Sequence, residues 1–189
     1  MDLPLGVIAE ALTRAHAEAI AYSGSNYPRN AKGLMRWMVT VGELRKELAM
    51  NGEFSAWRIE DTVGRPLLIH KHRNISLAVA AGNKYVGVED EMPNFARPKG
   101  PTTQSALEQS SLISLSDLVI PTLKASWFLL YYSTADEVRC EVSLGVGTGE
   151  DEMQGLVSDW RERNIVSIEG FEHDPGFVDG GEDVLFDIS

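Results

Sequence analysis

His70 and His72 flank Lys71, and on one continuous strand their imidazoles would point to the same face. Two neutral imidazoles so placed can ligate a metal, with Glu60 or Asp61 on a neighbouring hairpin strand as the carboxylate partner. Such a centre would make the chain a metal-dependent hydrolase. The plainer alternative is an exposed turn beside Arg73 and Asn74. It is the one expected here, with no metal and no cofactor. Cys140, the only cysteine, could be a nucleophile only beside a base that lowers its pKa. Its place in the series Val138, Cys140, Val142, Leu144 puts it on an apolar face, so a buried, inert thiol is expected. The remaining histidines, His16 and His173, stand in no triad context, and G-x-S-x-G does not occur. The acid runs Glu60-Asp61 and Glu150-Asp151-Glu152 read as solvated, whereas a general acid needs burial to raise its pKa. No catalytic residue is assigned.

Two further segments could bind rather than react. Lys99-Gly100-Pro101-Thr102-Thr103 precedes a short helix and could cradle an anion at its N-terminus, though it is no P-loop. Arg29, Lys32 and Arg36 share one face of a predicted second helix, with Arg45 and Lys46 near its end. A solvated helix face explains them; the alternative is a nucleic-acid binder contacting phosphates through that helix.

The elements that must position these residues follow from periodicity. Leu5, Ile8, Leu12, Ala15 and Ala19 predict a helix over 3–21, with Asp2 as its cap. Leu34, Trp37, Met38, Val41, Leu44 and Leu48 predict the buried stripe of a second helix over 28–50. A short polar loop between them implies an antiparallel hairpin. The period then shortens. Segments 54–61, 67–69, 75–80 and 85–88 read as strands of a meander with tight turns. Residues 89–103 hold three prolines without periodicity, a loop length that is often functional or mobile. A short helix over 103–112 comes next. Residues 127–132, Trp-Phe-Leu-Leu-Tyr-Tyr, are apolar on both faces and predict an interior strand. The alternating strand 138–144 pairs beside it, a glycine-rich acidic loop spans 145–155, and a last strand falls within 156–169.

The expected fold is α+β: an N-terminal helical hairpin packed on an antiparallel β-sheet meander, with an acidic C-terminal tail. Residues 1–168 read as a single domain and 169–189 as an acidic segment. The short helix, the tail or a second subunit in a homodimer would cover the sheet's other face.

Residues 127–132, then Arg139-Cys140-Glu141-Val142-Ser143-Leu144, then Trp160-Arg161-Glu162-Arg163, resemble a module of an uncharacterised bacterial family. Its pattern is an apolar strand, an R-x-E-[LV]-S-L strand and a closing W-x-E-R-I strand. This chain departs from it at Gly145, where a proline is common, and at Asn164, which separates Arg163 from Ile165. The resemblance implies a shared fold and no activity.

The charge is lopsided. Residues 1–99 hold thirteen Lys/Arg against eleven Asp/Glu, a net of +2. Residues 100–189 hold four against seventeen, a net of −13. Sign asymmetry points to partners. The leading expectation is a non-catalytic acidic interaction protein: an accessory, inhibitory or immunity-type partner in a larger system such as one that processes nucleic acid. It would dock on a protein with a basic surface, through Glu172, Asp174, Phe177, Asp179, Glu182, Asp183, Phe186 and Asp187. Direct binding to nucleic acid is not expected of a chain at net −11. No run approaches the ~18 apolar residues of a membrane span. One cysteine and no basic, apolar leader suggest a cytoplasmic setting.

Overall fold

A computed structural model describes residues 3–50, 56–62, 65–112, 124–134 and 137–168. Helix α1 spans Leu5–Ile20 and α2 spans Ala31–Arg45, the latter ending in one π turn, Lys46–Met50. Strands β1 (Trp57–Thr62), β2 (Arg65–His70) and β3 (Ile75–Ala81) form one antiparallel meander. Helix α3 (Pro101–Leu112) leads to β4 (Ala125–Ser133), β5 (Val138–Thr148) and β6 (Val157–Val166), a second antiparallel meander. The two join edge to edge through a parallel β3–β4 pair, giving one six-stranded sheet in the order β1-β2-β3-β4-β5-β6. The domain is α+β, with the helical hairpin packed on a mostly antiparallel sheet. No helix among the described residues is long and apolar enough to cross a membrane.

The expected strand over 85–88 is a run of turns instead. Gly87 takes φ 71°, and a Cβ there would lie 3.1 Å from that of Arg139. The expected loop at 145–155 is mostly absorbed by β5, which runs on to Thr148, and by a 3-10 turn, Asp151–Met153. A bulge between Leu144 and Gly145 re-aims the strand. A Cβ on Gly145 would sit 2.6 Å from the Leu107 side chain of α3, so any larger residue there would make that side chain shift.

Alternation on β4 sorts the core into two layers. Trp127, Leu129 and Tyr131 face the helical hairpin, with Leu68, Leu77, Cys140, Val142 and the α1 residues Ile8 and Leu12. Phe128 and Leu130 face the other way, among Phe95, Leu107, Val157 and Trp160. β4 is therefore an interior strand buried on both sides, paired with β5 as its pattern demands. The second face is covered by α3 and residues 82–99. Ser110 of α3 accepts the Ser126 backbone N–H at 2.9 Å and so pins the helix to β4.

Helix α2 is rotated from its expected seat. Leu44 and Leu48 are buried, as the stripe implies, but Arg36 and Thr40 complete the buried seam. Leu34, Trp37 and Val41 are half-buried, and Met38 is 50 % exposed. Two contacts set this rotation. The Trp37 indole donates to the Val79 carbonyl at 3.1 Å. Extending the Leu67↔Ala78 register puts Val79 opposite Pro66, which has no N–H to offer that carbonyl. On the far side of the helix, Glu43 reaches Arg14 of α1 at 3.1 Å.

Candidate functional site

The residues of the R-x-E-x-S strand and the W-x-x-R strand converge on one structure. Arg139, Glu141 and Ser143 alternate with the apolar residues of β5, so they point away from the hairpin. Glu141 is fully buried. Its carboxylate accepts four hydrogen bonds: from Ser143 Oγ at 2.6 Å, Arg163 Nε at 3.1 Å, Arg163 Nη2 at 2.7 Å and the Gly87 backbone N–H at 3.0 Å. The guanidinium thus grips both carboxylate oxygens, the bidentate geometry that lysine cannot supply. Its remaining protons go to backbone carbonyls, Val88 at 2.9 Å and Glu91 at 2.7 Å.

Other ties hold the same segment. Arg139 Nη2 donates to the Lys84 carbonyl at 2.8 Å. The Trp160 indole donates to the Pro93 carbonyl at 2.7 Å. The Asn94 amide meets both the N–H and the carbonyl of Val157 at 2.9 Å, as a strand neighbour would. The Lys99 N–H donates to Gly155 at 2.7 Å. The long connection is therefore bolted along its length to β5 and β6. Its tip lies outside: Glu89, Asp90 and Glu91 are exposed, and Met92 is 49 % exposed. The acids of this turn carry their charge outward, while their carbonyls are held from below.

A second acidic surface lies on the same side of the sheet. Gln104 and Glu108 of α3 face Thr148, Glu150, Asp151 and Gln154 across an open polar cleft of about 690 Å³. Glu108, Glu150 and Asp151 are exposed.

His70, His72 and Glu60 do not converge. The His70 ring stands edge-on to Trp57, centroids 5.0 Å apart, and its Nδ1 accepts the His72 backbone N–H at 3.2 Å. The His72 ring is 6.1 Å from it in an exposed turn. Trp57 pairs with His70, and Glu60 lies three residues further along β1, so its side chain is on the opposite face. There it meets Arg58 at 2.5 Å and Lys124 at 3.7 Å. Asp61 is paired with Arg45. Among the described residues, no three His, Cys, Asp or Glu side chains are grouped to hold a metal ion.

The other candidates are placed as follows. The Lys99 amine lies 5.1 Å over the Phe95 ring, with its pKa lowered by burial and by Arg97, so it does not lead an anion to α3. Arg29, just before α2, is exposed and Lys32 is half-buried, but Arg36 is buried, which breaks the expected three-cation surface. Residues 172–187, which include every partner-binding candidate, lie outside the described residues.

Cys140 is fully buried, with its sulfur 3.8 Å from the Val166 carbonyl. Burial first, and then the neighbouring Glu141 charge, push its thiol from 9.0 up to about 12. Burial likewise raises Tyr131 from 10.0 to about 12. The folded chain holds both protons to higher pH than the unfolded chain does. Their contribution to stability is complete below pH 9 and is lost as pH climbs toward 12. The urea midpoint should fall steadily above pH 9, and Cys140→Ala should flatten the first part of that slope. The thiol should react with an aromatic disulfide reagent only on unfolding; rapid labelling of the native protein would contradict this placement.

Compared with protein-family models, with curated proteins and with solved structures, the chain matches none.

Proposed function

We propose that this chain is a non-catalytic interaction protein whose acidic surface docks on a basic protein, as an accessory, inhibitory or immunity-type component of a larger macromolecular system. The observation that carries the reading is the clamped turn. Glu89, Asp90 and Glu91 are exposed on a segment whose base is fixed by Arg163, Trp160 and Asn94. A loop held in one shape before binding loses little entropy on docking, and outward carboxylates steer a cationic partner to it. The groups with intrinsic chemistry are committed elsewhere. Glu141 is saturated by donors, and the Cys140 thiol is buried and protonated.

The test is affinity capture from the native host with full-length bait, with a Glu89→Ala, Asp90→Ala, Glu91→Ala variant alongside. A basic protein should co-purify and elute with rising salt. The variant should retain its circular dichroism and bind at least about tenfold more weakly, because three exposed charges act on encounter and register. Binding that ignores both salt and the triple substitution would sink the proposal.

A further inference from the structure

The two edges of the sheet are finished differently. At β6 the Asn94 side chain takes both the N–H and the carbonyl of Val157, the Asp159 carboxylate takes the Trp160 N–H at 2.8 Å, and a register shift bends the strand. Such caps and bulges keep an edge from pairing with another chain. Among the described residues, β1 has no such cap or bulge. It runs in unbroken register with β2 and contains no proline and no lysine. The Lys71 N–H donates to the Ala56 carbonyl at 2.7 Å, which fixes the alternation along β1. Ala56, Arg58 and Glu60 turn their backbone groups toward β2, so Trp57, Ile59 and Asp61 turn theirs outward.

The side chains of this edge are complementary to themselves. Arg58 and Glu60 share one face of β1, on either side of Ile59, and form a partly exposed ion pair. Ile59, on the other face, packs against the hairpin-side core yet stays half-buried. An antiparallel strand of the same sequence can meet these outward backbone groups in more than one register. Centred on Arg58, the pairing sets two guanidinium groups against each other. Centred on Glu60, it sets two carboxylates together, and like charges directly opposite are unfavourable. Centred on Ile59, it places Arg58 opposite the partner's Glu60 on both sides of the axis and lays Ile59 beside the partner's Ile59. Trp57 and Asp61 then meet each other across the ladder, so every outward residue faces an outward residue. The ion pair within each strand is kept, and each carboxylate gains a second guanidinium.

We infer that β1 is a dimerisation edge and that its occupant is a second copy of this chain, paired antiparallel about a two-fold axis at Ile59. The strand is short, so the dimer is a reversible one populated by concentration. The acidic turn at 89–91 is tied to the opposite edge of the sheet, so the dimer presents it twice, and the inference stands whether or not that turn docks on a basic protein. Sedimentation velocity of the full chain at rising concentration should show monomer–dimer exchange. Arg58→Glu and Glu60→Arg each set like charges opposite one another in the dimer. Each should raise the dissociation constant at least about tenfold, with circular dichroism unchanged. Mixed in equal amounts, the two variants should recover the dimer, because one edge then carries acids at both positions and the other cations at both. A chain carrying both substitutions keeps the complementarity and should dimerise like the parent. A parent that stays monomeric at every concentration overturns the inference. So does a dimer that both single variants leave intact, since it would lie on another surface. A mixture or a double variant that remains monomeric overturns the register, and the inference with it.

Discussion

Replacing Arg163 with alanine is expected to destabilise the domain by about 3–5 kcal/mol, the usual loss when one member of a buried ion pair is removed. The cause is less the lost attraction than the carboxylate left behind. Glu141 has no exposed surface, and without the guanidinium it keeps only Ser143 and the Gly87 N–H as donors. Arg163→Lys should fall almost as far, since an ammonium is a point charge without the planar fork that spans both carboxylate oxygens. Replacing both partners with leucine should recover much of the loss, because an apolar pair needs no desolvated charge. A double-mutant cycle from urea midpoints measures the coupling. An Arg163→Ala variant within ~0.5 kcal/mol of the parent would mean the pair is not buried.

The second large effect is expected at Trp160. Its ring packs against Phe95 and Phe128, with centroids 6.1 and 6.2 Å away, and its N–H holds the Pro93 carbonyl. Trp160→Ala should cost about 3–5 kcal/mol, the range for deleting a large core aromatic. Trp160→Phe keeps a ring and loses one hydrogen bond, about 1 kcal/mol. The two variants also separate packing from tethering. Both free the Pro93 carbonyl, so both should speed hydrogen exchange around residues 88–92. Only the alanine should lower the denaturant midpoint steeply. Equal midpoints for the pair would show that the ring contributes little.

Local pattern identified β4 and β5 because their signals are self-contained. Residues 127–132 are apolar on both faces, and 138–144 alternate, so each strand announces its own burial. The parallel β3–β4 pair had no such signal, since the partner of β3 is set by a crossover through residues 82–124. Tyr85-Val86-Gly87-Val88 has strand composition, yet Val86 is a fully buried knob in a turn. Helix α2 misled for another reason. Its buried seam uses Arg36 and Thr40, polar residues that an apolar stripe passes over. Within the candidate site, the acids of 89–91 fall in the stretch 89–103 that its lack of periodicity set apart, but their clamp was not legible. Glu141 looked like the solvent-facing member of an alternating strand. Only its pairing with Arg163, together with the covering segment 82–99, turns that face inward. One hint was available: Arg139, Glu141 and Ser143 are all strong hydrogen-bonding types on the second face of a strand whose neighbour is apolar on both.

The seam between β3 and β4 also governs how the chain can reach this state in time. Each meander joins neighbours in sequence and can form from local encounters, whereas the seam must first close the loop 82–124. Closing so long a loop carries an entropic cost before any seam contact offsets it, and topologies that depend on such distant pairings fold slowly. The barrier therefore sits at the joining of two preformed halves. Trimming Leu77 or Leu129, buried on the paired strands, should slow folding, while trimming Trp57 at the outer edge should mainly hasten unfolding.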